Sequence, residues 1–129
     1  MIAVGHLVYE ALEAAAILDR EACHIAVFDP CLLKPLNEEA ILDEARKVSM
    51  VVTFEENVPS GSLGQAVASL LAVNGYEGRV CTISVPDDFA PQGTQRELRK
   101  ILGLDSEGLV SAIRNELIKD TVVQQASNF

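Results

Sequence analysis

Apolar residues along this chain fall into two alternating patterns. Short apolar runs, namely Ile2-Ala3-Val4, Ile25-Ala26-Val27-Phe28, Met50 to Phe54 (with Thr53) and Val80 to Val85 (with Thr82 and Ser84), are separated by stretches in which apolar positions recur every three or four residues. The first pattern predicts strands buried on both faces, the second amphipathic helices. Leu7, Ala11, Ala14, Ala15 and Leu18 predict a helix from Leu7 to Arg20, whose alanines let it lie close to a sheet. Ala40, Ile41, Ala45 and Val48 predict another from Glu38 to Val48, with Asn37 as N-cap and Glu38 and Glu39 at its positive end. Ser62 caps a third through Leu63, Val67, Leu70, Leu71 and Val73, ending near Asn74-Gly75. Two short helices, Thr94 to Leu102 and Ser106 to about Lys119, flank Gly103.

Strands alternating with helices over short loops predict an α/β fold. It is a three-layer sandwich around a mainly parallel sheet of about four to five strands. Val27, Val52 and Ile83 are expected to be almost fully buried, and Cys81 to be plain core. The chain reads as one domain over residues 1–120 and a tail over residues 121–129 that carries no clear signal. There is no internal repeat and no low-complexity segment.

Composition narrows the function classes. An apolar share of 49% over 129 residues supports a real core and argues against disorder. A net charge of -9, with basic residues scattered, argues against a nucleic-acid partner and an anionic membrane surface. No apolar run approaches the ~20 residues that cross a bilayer. The start Met1-Ile2-Ala3-Val4-Gly5-His6 lacks the basic region of a signal peptide. Cys23, Cys31 and Cys81 form no CxxC pair and read as reduced thiols of a cytoplasmic protein.

Ligands of open parallel sheets sit beyond the carboxyl ends of the strands. That edge is expected to carry Asp29, Glu55, Glu56, Asp87 and Asp88. Repulsion from such a rim outweighs the ~1–2 kcal/mol that one helix N-terminus offers a phosphate. The loop Gly61-Ser62-Leu63-Gly64 therefore reads as a structural turn rather than a nucleotide cradle, and it lacks the GxGxxG and Walker A patterns. Glu55 and Glu56 are adjacent in a strand and point to opposite faces, so they cannot share a proton site. One carboxylate is expected to accept backbone N–H groups of the following loop or helix, and the other to face a partner domain. His6 follows Gly5 at a strand-to-helix turn and reads as a cap or interface histidine. Cys23-His24 has no further ligands at metal spacing. No nucleophile elbow or Ser/His/Asp triad stands out. These residues assign no catalytic, cofactor-binding or metal role; His6, Glu55, Glu56, Gly61 and Gly64 are candidates for assembly or for structuring the loop.

The order and spacing of several islands carry a family resemblance. They are Lys34-Pro35-Leu36-Asn37, Val51 to Glu56, Gly61-Ser62-Leu63-Gly64 and Val85-Pro86-Asp87-Asp88-Phe89, with Gly93 just beyond. The series resembles the C-terminal domain of transketolase-like, thiamine-diphosphate-dependent enzymes, from about Gly5 to about Ile113. It looks closest to the 1-deoxy-D-xylulose-5-phosphate synthase family, because Asn57 follows the glutamates where transketolases tend to have His. Asn37 stands in place of that family's aspartate, and Ser62 in place of a glycine. The resemblance implies a third domain of a transferase that is not catalytic alone. Thiamine diphosphate and Mg2+ would belong to the complete enzyme, and none to this chain, which lacks the Gly-Asp-Gly cofactor motif. The partners implied are the thiamine-diphosphate-binding and pyrimidine-binding domains or subunit, in a homodimer. The complete enzyme would condense pyruvate with glyceraldehyde 3-phosphate or transfer a ketol unit between sugars. In the family a further strand usually precedes the one matching Ile2-Ala3-Val4, so the chain is expected to be an excised domain or a naturally split subunit. A free-standing small-ligand-binding α/β module is the alternative, and an independent enzyme has no supporting motif.

Overall fold

The computed structural model describes residues 1–86 and 92–127, with side chains through residue 119. Its elements are β1 (Ile2–Ala3), α1 (Leu7–Asp19), α2 (Glu38–Ala45), β2 (Met50–Phe54), α3 (Leu63–Val73), β3 (Arg79–Ile83), α4 (Gln95–Leu102) and α5 (Ser106–Ser127). The strands are parallel in the order β1-β2-β3. Ile2 stands opposite Thr53, and Met50 to Phe54 stand opposite Arg79 to Ile83.

The two faces of β2 define the layers, since consecutive strand residues point to opposite sides. Val52 and Phe54 join Ala3 in a cluster with Leu7, Ala11, Ala14 and Leu18 of α1 and Leu109, Val110 and Ile113 of α5. Val51 and Ile2 pack on the other side against Ile41 and Ala45 of α2 and Leu63, Val67 and Leu71 of α3. This is the expected three-layer α/β sandwich with a parallel sheet.

Several local expectations need correcting. The run Ile25 to Phe28 lies along the outer side of β1 but forms only one parallel bridge, Ile2 to Phe28. Phe28 N–H donates to Met1 O at 2.8 Å and Ala3 N–H to Phe28 O at 3.1 Å. β1 offers only two strand residues to pair with, and Asp29-Pro30 ends the segment. Val52 is 4% exposed, but Val27, Cys81 and Ile83 are only half-buried. The cause is position: β3 is an outer strand of the described sheet, and α1, α2, α3 and α5 cover the central β2 first. α2 stops at Ala45 because the chain must turn to enter β2 at Met50, which leaves Val48 exposed. The last helix is not short. α5 runs on to Ser127, with no Gly or Pro after Gly108 to stop it. Asp87, Asp88 and Phe89 lie outside the described residues.

Candidate functional site at the carboxyl edge of the sheet

β2 delivers Glu55 and Glu56 to the carboxyl edge, and their environments differ completely. Glu55 continues the ladder by donating its N–H to Ile83 O at 3.1 Å. Its side chain turns inward and is 0% exposed. One carboxylate oxygen accepts Leu63 N–H at 3.0 Å, and the other accepts Gly64 N–H at 2.7 Å. These amides belong to the first turn of α3, where no intrahelical acceptor exists and the helix end is partially positive. The buried charge is thus met by two otherwise orphan donors.

The rest of the turn completes the same accounting. Ser62 is the N-cap of α3, and its hydroxyl accepts Gln65 N–H at 3.2 Å. The Gln65 side chain accepts Gly61 N–H at 2.6 Å. Gly61 has φ +73°, a left-handed conformation that favours glycine. Gly64 answers a different need. A Cβ there would lie 2.5 Å from the Thr82 methyl and 2.8 Å from Thr53 Oγ1. Those threonines are joined across β2 and β3, Thr53 donating to Thr82 at 3.1 Å between the two hydroxyls. α3 therefore rests directly on the sheet at Gly64.

Glu56 faces outward, with its side chain 43% exposed, and pairs with Arg99 of α4. Its hydrogen bond raises the Arg99 guanidinium still further above its ordinary value. Thr94 and Glu97 form a capping box at the start of α4, so the element holding Arg99 has a well-defined entry. His6 occupies the N-cap position of α1, but its backbone is already helical and its side chain makes no capping bond. The ring lies 5.9 Å from that of Tyr9 and borders a cleft of about 520 Å3 between α1, α4 and the start of α5. Across that cleft Glu10 accepts Ser106 N–H at 2.9 Å and serves α5 from another helix.

The expected carboxylate rim loses Glu55 to the interior. Asp29 and Glu56 are exposed, and Asp87 and Asp88 are not among the described residues. Asp29 accepts Cys31 N–H at 2.8 Å. Cys23-His24 does not act as a pair: His24 meets Asp19 at 2.5 Å and Cys23 packs toward the core.

Among the described residues, the start of α3 does not fit a thiamine diphosphate group. The amides of residues 63, 64 and 65, which a diphosphate would seek, are taken by Glu55 and Ser62. A diphosphate would have to displace a buried carboxylate of its own sign. Among the described residues no group of three His, Cys, Asp or Glu is arranged to hold a metal ion.

Residues 1–109 match the family described as Transketolase, C-terminal domain. This chain belongs to that family. It is 44% identical over 120 residues to the 1-deoxy-D-xylulose-5-phosphate synthase of Syntrophotalea carbinolica, a span of 93% of this chain and 19% of that protein. It is 36% identical over 117 residues to the synthase of Aquifex aeolicus, covering 91% of this chain and 19% of that one. A solved structure titled "Split gene transketolase, inactive beta4 tetramer" superposes with a TM-score of 0.80 at 35% identity, over 88% of this chain and 37% of that one. The chain therefore spans about a fifth of the length of the curated relatives it matches.

Neither Arg99 nor Glu10 could be singled out from the sequence. Their partners stand 43 and 96 positions away, and no local pattern joins them. The Thr94-x-x-Glu97 spacing was the one readable signal, and it marks the start of α4 rather than the Arg99 contact.

Proposed function

We propose that this transketolase C-terminal domain is the non-catalytic third domain, or a split subunit, of a thiamine-diphosphate-dependent enzyme that transfers ketol or acyl units. The full enzyme is of the 1-deoxy-D-xylulose-5-phosphate synthase or transketolase type. The 44% identity to a synthase over 93% of the chain carries this reading. The carboxyl edge supports it, because the described polar groups around Glu55 and the turn at 61–65 are spent on the fold. Glu55, Gly61 and Gly64 structure the turn that seats α3. Glu56 and His6 remain on the surface and serve docking onto the thiamine-diphosphate-binding and pyrimidine-binding domains, in a homodimer. Thiamine diphosphate and Mg2+ are held by those partners. Residues 1–120 form the domain, and residues 121–129 are its tail. No described helix is long and apolar enough to cross a membrane, and the assembled enzyme works in the cytoplasm.

The test is reconstitution. The chain is mixed with the first two domains of a 1-deoxy-D-xylulose-5-phosphate synthase, and product formation from pyruvate and glyceraldehyde 3-phosphate is followed. Activity that requires both components is the expected result. Turnover by this chain alone would overturn the reading, and so would a stable small-ligand complex with no association to those domains.

A further inference from the structure

Asn74-Gly75 is the single Asn-Gly pair in the sequence. Glycine leaves its main-chain nitrogen open to the preceding side-chain amide, because no Cβ stands beside it. Both residues are exposed at the end of α3. Asn74 is the C-cap, with φ −93° and ψ 13°, and Gly75 follows with φ +70°. Asn74 Nδ2 donates to Leu70 O at 2.8 Å, and Gly75 N–H donates to Ala72 O at 3.2 Å. The first bond draws the side-chain amide back along the helix; the second holds the main-chain N–H that would have to react. Beyond them Tyr76 N–H donates to Leu71 O at 3.0 Å, and its hydroxyl to Val48 O at 3.0 Å, which ties this corner to the turn before β2.

We propose that Asn74 is a deamidation site whose rate is set by opening of the C-terminal cap of α3. Once the cap opens, the Gly75 nitrogen loses its proton to solvent and attacks Asn74 Cγ. The new N–Cγ bond closes a five-membered imide, the Cγ–Nδ2 bond breaks, and ammonia leaves. Water then opens the imide. Cleavage at Cγ gives aspartate, and cleavage at the main-chain carbonyl gives isoaspartate. Aspartate removes the side-chain donor to Leu70 O, leaving the main-chain N–H of residue 74 there, and puts a carboxylate at the negative end of a helix with no basic residue in its last turn. Isoaspartate lengthens the backbone just before the left-handed Gly75. Either product loosens the Tyr76–Val48 tie at the entry to β2.

The full chain is held at mildly alkaline pH in buffer and in denaturant, and conversion at each asparagine is followed by peptide mapping and mass spectrometry. Exposed Asn37 and Asn57, which precede Glu and Val, are internal references. Asn74 is expected to convert fastest in denaturant, and about tenfold or more slowly in buffer, since reaction there requires local opening. Asn74→Asp is expected to lower Tm by about 3 °C. Equal rates in the two media would overturn the gating. Conversion at Asn37 or Asn57 as fast as at Asn74 in denaturant would overturn the site, and an unchanged Tm for Asn74→Asp would overturn its structural consequence.

Discussion

Glu55 is the residue on which the carboxyl edge turns. A carboxylate with no solvent exposure is costly unless its lone pairs are met, and here two main-chain amides meet them. Glu55→Gln keeps the shape but sets an NH2 donor against one of those N–H groups. We expect a loss of about 2 kcal/mol in denaturant unfolding; a change within error would show that the amides find other acceptors. Gly64→Ala tests the other half of the turn. The added methyl meets Thr82 and Thr53 inside van der Waals contact, so α3 must lift from the sheet, at a cost of about 1–3 kcal/mol. The sequence showed that a carboxylate would serve this helix start and that the glycines belong to a turn. It did not show which glutamate turns inward, because strand alternation puts the two on opposite faces without saying which face α3 covers.

At the scale of elements, hydrophobic pattern revealed the helices and β2 but not the limits of the sheet. A continuous apolar run such as Ile25 to Phe28 looks the same at a central and at an outer position, and that is why Val27 is less buried than expected; around Ile83 the polar Thr82 and Ser84 already give the alternation of a strand covered on one face. The difference is measurable. Val52→Ala should destabilise by about 2 kcal/mol, whereas Val80→Ala, on the exposed side of β3, should stay within ~0.5 kcal/mol. Similar losses at both positions would contradict the placement of β3. β3 is fastened to α5 by Arg79, which donates to Glu116 O at 2.9 Å and pairs with its carboxylate. The hydrogen bond from Lys119 is the main cause that holds the Glu116 carboxyl below its ordinary value; partial burial opposes it, and the charge of Arg79 reinforces it. A depressed carboxyl contributes stability above its unfolded value near 4.5, and this is lost as pH falls through the folded value. Thermal unfolding of the parent chain and of Glu116→Gln should therefore differ at neutral pH and converge as the pH falls below the folded value of Glu116. A gap that persists in acid would assign the contribution to packing instead.

For the whole molecule, what matters is how the described carboxyl edge spends its polar groups. At the edge that holds ligands in many parallel-sheet proteins, the start of α3 is closed by Glu55 and Ser62, and Glu56 pairs with Arg99 at the surface. If the chain is an assembly domain, that pair should affect docking and leave the reaction itself alone. An exposed ion pair contributes about 0–1 kcal/mol to the fold, so Glu56→Gln should leave Tm nearly unchanged. In the assembled enzyme the variant should weaken association with the thiamine-diphosphate-binding and pyrimidine-binding domains, while single-turnover rates at saturating assembly stay within a few-fold of the parent. Sedimentation measures the first quantity and rapid quench the second, so a docking defect cannot pass for a chemical one. A loss of about a hundredfold with the complex intact corresponds to ~2.7 kcal/mol of barrier, more than a displaced docking contact accounts for. That result would put a catalytic carboxylate at the end of β2, and the division of labour proposed for the three domains would fail.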